Sequence, residues 1–158
     1  MRHEIFINKE ELLHRVELLT HYHSEADKRN DLNADVGEVS PDDAELMETF
    51  IRKAIYELIA PQAARLGEIT FDTTGDGICI SFTGGDSDSQ ISAVPILKQA
   101  IEEFLVNELM TQWLMVRRRS WSDTYIAMRN ELYDKVQRLF DRLSNRKIRR
   151  RSTGLAGI

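Results

Sequence analysis

One cysteine, three prolines and eight glycines are spread over 158 residues, and no window of eighteen residues is free of charge. The lone Cys79 closes no internal disulfide, so a disulfide-stapled scaffold is excluded and a reducing compartment is expected. So few glycines and prolines exclude a collagenous or low-complexity polymer, and the charge in every long window excludes a membrane-spanning helix. The first residues, Met-Arg-His-Glu-Ile-Phe-Ile-Asn, lack the apolar run and small-residue cleavage site of a signal peptide. The expectation is a soluble protein made in the cytoplasm of a bacterium or of a virus's host. With 42% apolar and 30% charged residues, the chain has the length and the apolar content for one domain with its own core.

The net charge of −5 hides a division along the chain. Residues 117–151 hold 12 Lys/Arg against four acids, Asp123, Glu131, Asp134 and Asp141, for a net +8. Subtracting these from the totals of 21 basic and 26 acidic residues leaves 9 basic and 22 acidic elsewhere, a net −13. Such asymmetry points to an interaction tail or to self-association of opposite faces.

Ile5, Phe6 and Ile7 form either a short strand or an extended arm. Asn8 followed by Glu11 three residues on is a helix-start signal, in which side chains satisfy free backbone N–H groups. A helix of roughly four turns is expected to follow, with Leu12, Leu13, Val16, Leu18 and Leu19 mostly on one face. Residues 24–39 are polar, acidic and aperiodic, and read as a loop. Ser40-Pro41-Asp42-Asp43 is the clearest punctuation, because Ser caps, Pro suits the first helical position and carboxylates favour the positive end of the helix dipole. The helix starting there carries an apolar stripe of Met47, Phe50, Ile51, Ala54, Ile55, Leu58 and Ile59. Pro61 is expected to kink or stop it near Ala60, or to allow one further turn to Leu66.

Two β-prone runs, 68–71 and 78–82, flank Thr73-Thr74-Gly75-Asp76-Gly77 and predict a hairpin. Alone it is unstable, so it must lie on the helices or pair with another chain. From about Ile91 to Val116 the apolar spacing is helical, with Pro95 expected near the first turn. Ser120-Trp121-Ser122-Asp123 breaks and recaps the chain. A second stripe of Tyr125, Met128, Leu132, Val136, Leu139, Phe140 and Leu143 follows. The short break makes these two helices an antiparallel αα-hairpin. The fold class expected is therefore mainly α: a small helical domain over 1–145 with a long C-terminal antiparallel αα-hairpin, one short β-hairpin at about 68–82, and an extended basic arm over 146–158.

Catalytic and metal signals are weak. His14, His21 and His23 lie close in sequence, but without a Cys partner or a His-Glu-x-x-His pattern they read as solvated surface histidines rather than a zinc site. Asp86-Ser87-Asp88 lacks the sixth-position glycine and twelfth-position glutamate of a calcium loop; counted from Asp86, those positions are Ile91 and Leu97, and Lys98 follows. The Gly75-Asp76-Gly77 and Gly84-Gly85 segments match neither phosphate-binding glycine pattern and read as turns. Cys79 lies in an apolar strand pattern and reads as a small buried thiol. No catalytic residue, cofactor or metal is expected. Trp113 and Trp121 bracket Arg117-Arg118-Arg119, a mixture that nucleic-acid binders use, yet Trp113 falls on the apolar stripe and the arginines end a helix.

The long helix bearing Glu108-Leu109-Met110-Thr111-Gln112-Trp113-Leu114, the break, and the amphipathic last helix with Tyr125-Ile126-Ala127-Met128-Arg129-Asn130-Glu131-Leu132 and a basic end resemble the head–tail connector (adaptor, or head-completion) proteins of tailed bacteriophages. The resemblance covers about two-thirds of the chain and leaves out the hairpin and residues 24–39. It implies a non-enzymatic virion protein of the neck, a ring of about twelve copies. One side of the ring docks on the portal protein, and the other receives a stopper or tail-terminator protein. The partner-binding residues it implies are those of the basic arm: Arg146, Lys147, Arg149, Arg150 and Arg151 against acidic portal surface, with Leu155 and Ile158 as apolar anchors. Each acidic body would abut a neighbour's basic segment, and an acidic lumen would pass DNA without binding it. Two other readings compete. A nucleic-acid-binding regulator would use residues 117–151 and bind in a salt-dependent way, which the sequence pI of about 5.4 disfavours. A small enzyme would use Cys79 or the histidines, and no spacing supports it.

Overall fold

The computed structural model describes residues 1–30, 37–66, 69–84, 87–117 and 122–143. In chain order these form β1 (Arg2–Asn8), α1 (Lys9–Asn30), a 3-10 turn (Pro41–Asp43), α2 (Ala44–Leu66), β2 (Ile69–Asp72), β3 (Gly77–Thr83), α3 (Asp88–Arg117) and α4 (Ser122–Leu143). The fold is mainly helical, with one small antiparallel sheet of order β1-β3-β2. The expected hairpin is β2–β3, and the N-terminal residues complete it as a third strand. Ile5 and Ile7 pair with Ile80 and Ile78, so that all four face the core, while Phe6 pairs with Cys79 on the outer face. A Cβ at Gly77 would overlap the Phe6 ring, so glycine there lets the ring lie against the strand.

The hairpin turn is held from inside and outside. Gly75 takes φ +81°, a conformation that favours glycine. Asp72 Oδ1 accepts from the Thr74 N–H at 2.8 Å and from its hydroxyl at 2.7 Å, and these two bonds lower the Asp72 pKa below its ordinary 3.8. From the core side the buried Lys9 ammonium donates to the carbonyls of Thr73 and Gly75 and pairs with Glu48 Oε1 at 2.6 Å. The sheet is thereby tied to both α1 and α2.

Asn8 caps α1 as expected, its Oδ1 accepting from the N–H groups of Glu10 at 2.9 Å and Glu11 at 3.3 Å. The helix runs about six turns rather than four, so the first part of the expected 24–39 loop is helical. Glu25, Ala26 and Arg29 are good helix formers. The buried His23 also docks this end on α4, its Nε2 lying 2.5 Å from Tyr125 Oη. At Ser40 the Asp43 carboxylate accepts from the Ser40 N–H at 2.9 Å, which starts α2 through a 3-10 turn. Pro61 neither stops α2 nor ends it at Ala60; the helix continues to Leu66.

Helix α3 begins at Asp88, so Pro95 occupies its eighth position and not its first turn. The start is fixed by Ser87, whose N–H donates to Gln90 Oε1 at 3.1 Å while the Gln90 N–H donates to Ser87 Oγ at 3.3 Å. Every residue from Phe104 to Thr111 is buried, so α3 is the central rod of the molecule. Its buried polar groups all have partners. Asn107 Nδ2 donates to Glu103 O and Thr111 Oγ1 to Asn107 O, each at 2.7 Å. Helix α4 packs antiparallel along it: Gln90 Nε2 reaches Arg142 O at one end, and Arg129 Nη1 reaches Glu108 Oε2 at 3.0 Å toward the other. Phe140 lies edge-on to Phe82, and Tyr133 packs on Phe104.

Candidate functional site

The sequence singled out the basic end of the chain. Arg146, Lys147, Arg149, Arg150, Arg151, Leu155 and Ile158 lie outside the described residues, as do Arg118, Arg119 and Trp121. The structure does place the rest of the basic stretch. Within α4 the four cations Arg129, Lys135, Arg138 and Arg142 are matched by the four acids Asp123, Glu131, Asp134 and Asp141, so the helix is neutral. The whole +8 excess therefore falls at residues 117–119, with three arginines, and at residues 146–151, with five cations. Two clusters flank a helix whose own charges sum to zero.

Two of the basic side chains have partners within the molecule. Arg129 reaches Glu108, a carboxylate only 5% exposed that also accepts from Gln112 Nε2 at 2.9 Å. Arg117 lies 4.8 Å from the ring centroid of Trp113 and against Gly37. Trp113 itself is buried, its indole N–H donating to Gly37 O at 2.9 Å, as the core reading of that residue requires.

The acidic counterpart is the groove along the first turns of α1. It has a volume of about 820 Å³ and is lined in part by Glu10, Glu11, Glu17, His14 and Asp76. Lys9 also lines it, but its ammonium is turned under the hairpin onto Glu48. The rim is thus four carboxylates and one imidazole, positioned by the Asn8 cap and by the turn that places Asp76 O on the Lys9 N–H at 3.1 Å. Sequence reasoning counted these acids in the −13 body and did not see that α1 and the hairpin turn bring them together. Asp76 is 59 residues or more from the three glutamates.

The three histidines do not converge. His14 is exposed beside Glu17, His21 Nδ1 lies 3.0 Å from Glu38 Oε1, and His23 is buried against Tyr125. The expectation of solvated histidines is therefore corrected for His23, which packs between α1 and α4. Tyr125 shares that packing, and burial raises its pKa above the ordinary 10.0. Cys79 is half-buried on the outer face of β3, opposite Phe6, rather than in the core. Searches of family models, curated proteins and solved structures return no match to this chain. Among the described residues no helix is long and apolar enough to cross a membrane.

Proposed function

We propose that the chain is a non-enzymatic structural subunit of a tailed-phage head–tail connector. About twelve copies form a ring in the virion neck, docked on the portal and receiving a stopper or tail-terminator protein on the other side. The observation that carries this reading is the partition of charge: a −13 body with a carboxylate-rimmed groove, a neutral α4, and cationic clusters at 117–119 and 146–151. An arginine cluster of one copy, or an arm reaching the portal, meets carboxylates of another surface. Each exposed ion pair contributes only about 0.2–1 kcal/mol. Repetition around a closed ring multiplies such weak contacts and makes the assembly sensitive to salt. Leu155 and Ile158 add apolar anchors at the end of the arm.

A nucleic-acid-binding regulator is the weaker reading. Arg117 and Arg129 are engaged within the protein, and α4 offers as many carboxylates as cations toward a phosphate backbone. The two readings separate in one experiment. A chain ending at Asn145 is expected to lose portal binding and ring formation while keeping its helical circular dichroism. Unchanged portal binding and assembly would overturn the proposal, and salt-dependent DNA binding by the full chain without assembly would favour the regulator.

A further inference from the structure

The residues that lead into α2 return along the C-terminal half of α1 and are pinned to buried groups on both sides of Glu38. Gly37 O accepts from the indole N–H of Trp113 at 2.9 Å, and the Val39 N–H donates to Thr20 Oγ1 at 3.1 Å. Trp113 and Thr20 are each 1% exposed. The Glu38 backbone is therefore fixed by the core, and its carboxylate stands over α1 with Oε1 3.0 Å from His21 Nδ1. Glu25 follows His21 by four positions, one helical turn along the same face. One ligand atom from each of His21, Glu25 and Glu38 lies within 4.8 Å of the others, and all three side chains are exposed.

The geometry points to a surface site for a divalent transition-metal ion of the zinc class, held by His21, Glu25 and Glu38 with water completing the coordination. One imidazole nitrogen and two carboxylate oxygens form a donor set that suits such an ion, and two carboxylates supply its countercharge. Metal–ligand bonds of about 2.0–2.2 Å in a tetrahedron set ligand atoms roughly 3.3–3.6 Å apart. The His21–Glu38 pair, at 3.0 Å, is already closer than that, and a separation of 4.8 Å must shrink by about 1.2–1.5 Å. Exposed side chains on a helix and on a pinned backbone make that adjustment by rotation alone. A bound ion would staple the segment before α2 onto α1, so binding would be read out as stabilisation. The His21–Glu38 hydrogen bond alone is the competing account of the cluster, and it predicts no ion.

The test uses the full chain, stripped with chelator and titrated with Zn²⁺ by calorimetry and with Co²⁺ by visible absorption. Expected are one ion per chain, a dissociation constant in the micromolar range, the intense visible bands of tetrahedral cobalt, and a Tm raised by about 5 °C or more at saturating Zn²⁺. His21→Ala, Glu25→Gln and Glu38→Gln are each expected to weaken Zn²⁺ at least tenfold while leaving the metal-free Tm within about 2 °C, because the three side chains are exposed. His14→Ala, on the same helix but beside Glu17, is expected to change affinity less than twofold. Binding weaker than about 1 mM, or affinity unchanged by His21→Ala or by Glu38→Gln, would overturn the site.

Discussion

Helix α3 is buried on every side from Phe104 to Thr111, whereas α4 buries Ser122 at its start and then Val136, Leu139, Phe140 and Leu143 in its second half. The two arms of one hairpin therefore do different work. An all-round buried helix has to satisfy every polar side chain internally, which is why Asn107, Glu108 and Thr111 all have partners. The one-sided α4 carries four cations and four acids, of which Arg129 is turned onto Glu108. Its Met128, part of the apolar stripe by spacing, is 47% exposed. Stability is concentrated in α3 and its contacts, and among the described residues α1, α2, α4 and the sheet all offer exposed surface.

The largest expected effect tests that contrast directly. Trp113→Ala removes the largest buried side chain of α3 and the indole bond to Gly37, and is expected to cost about 3–5 kcal/mol in denaturant unfolding. Met128→Ala on α4 is expected to stay within about 0.5 kcal/mol. Similar costs for the two would break the comparison. Next in size is the polar link between the arms. Arg129→Ala leaves Glu108 with Gln112 alone, at about 1–3 kcal/mol, discounted because Arg129 is itself 27% exposed. The double change Glu108→Leu with Arg129→Leu is expected to cost less than Arg129→Ala alone, because no buried charge is then left behind. A double variant worse than the single one would show that the pair is a net source of stability.

The smallest effect is at the thin end of α4. Tyr125→Phe removes the phenol bond to His23, at about 0.5–1.5 kcal/mol. It also removes a pH dependence. Burial raises the folded-state pKa of Tyr125, so its neutral form contributes stability that is fully present below the ordinary value of 10.0 and is lost as pH rises through the folded value. Thermal melts from about pH 8 to 11 are expected to fall less steeply for Tyr125→Phe than for the native chain. Parallel slopes would mean that Tyr125 is not held neutral by its packing.

Much of this architecture was legible in the residues. The period of α4, the Asn8 and Ser40 signals and the glycine turn at 73–77 each have a local physical cause that a sequence displays. What escaped was non-local or lacked a period. Residues 24–30 carry no apolar repeat, and α1 continues there because His23 meets Tyr125, 102 residues away. Helix α3 starts three residues before Ile91, where Ser87 and Gln90 form a capping box of a kind that a sequence displays. The acid groove and the His21, Glu25 and Glu38 cluster each join residues from α1 to a turn or a loop. Composition counts their charges but cannot bring them together.

The central claim is that the chain is an assembly unit whose cationic clusters meet acidic surface. Its most direct test is the solution mass of the full chain, measured by light scattering at low and high salt, alone and with candidate portal and tail proteins. The account predicts a closed ring near 220 kDa, about twelve copies of 18.3 kDa, or partner-dependent assembly of that order, that dissociates as salt is added. A species that stays at 18.3 kDa under every one of these conditions would contradict it.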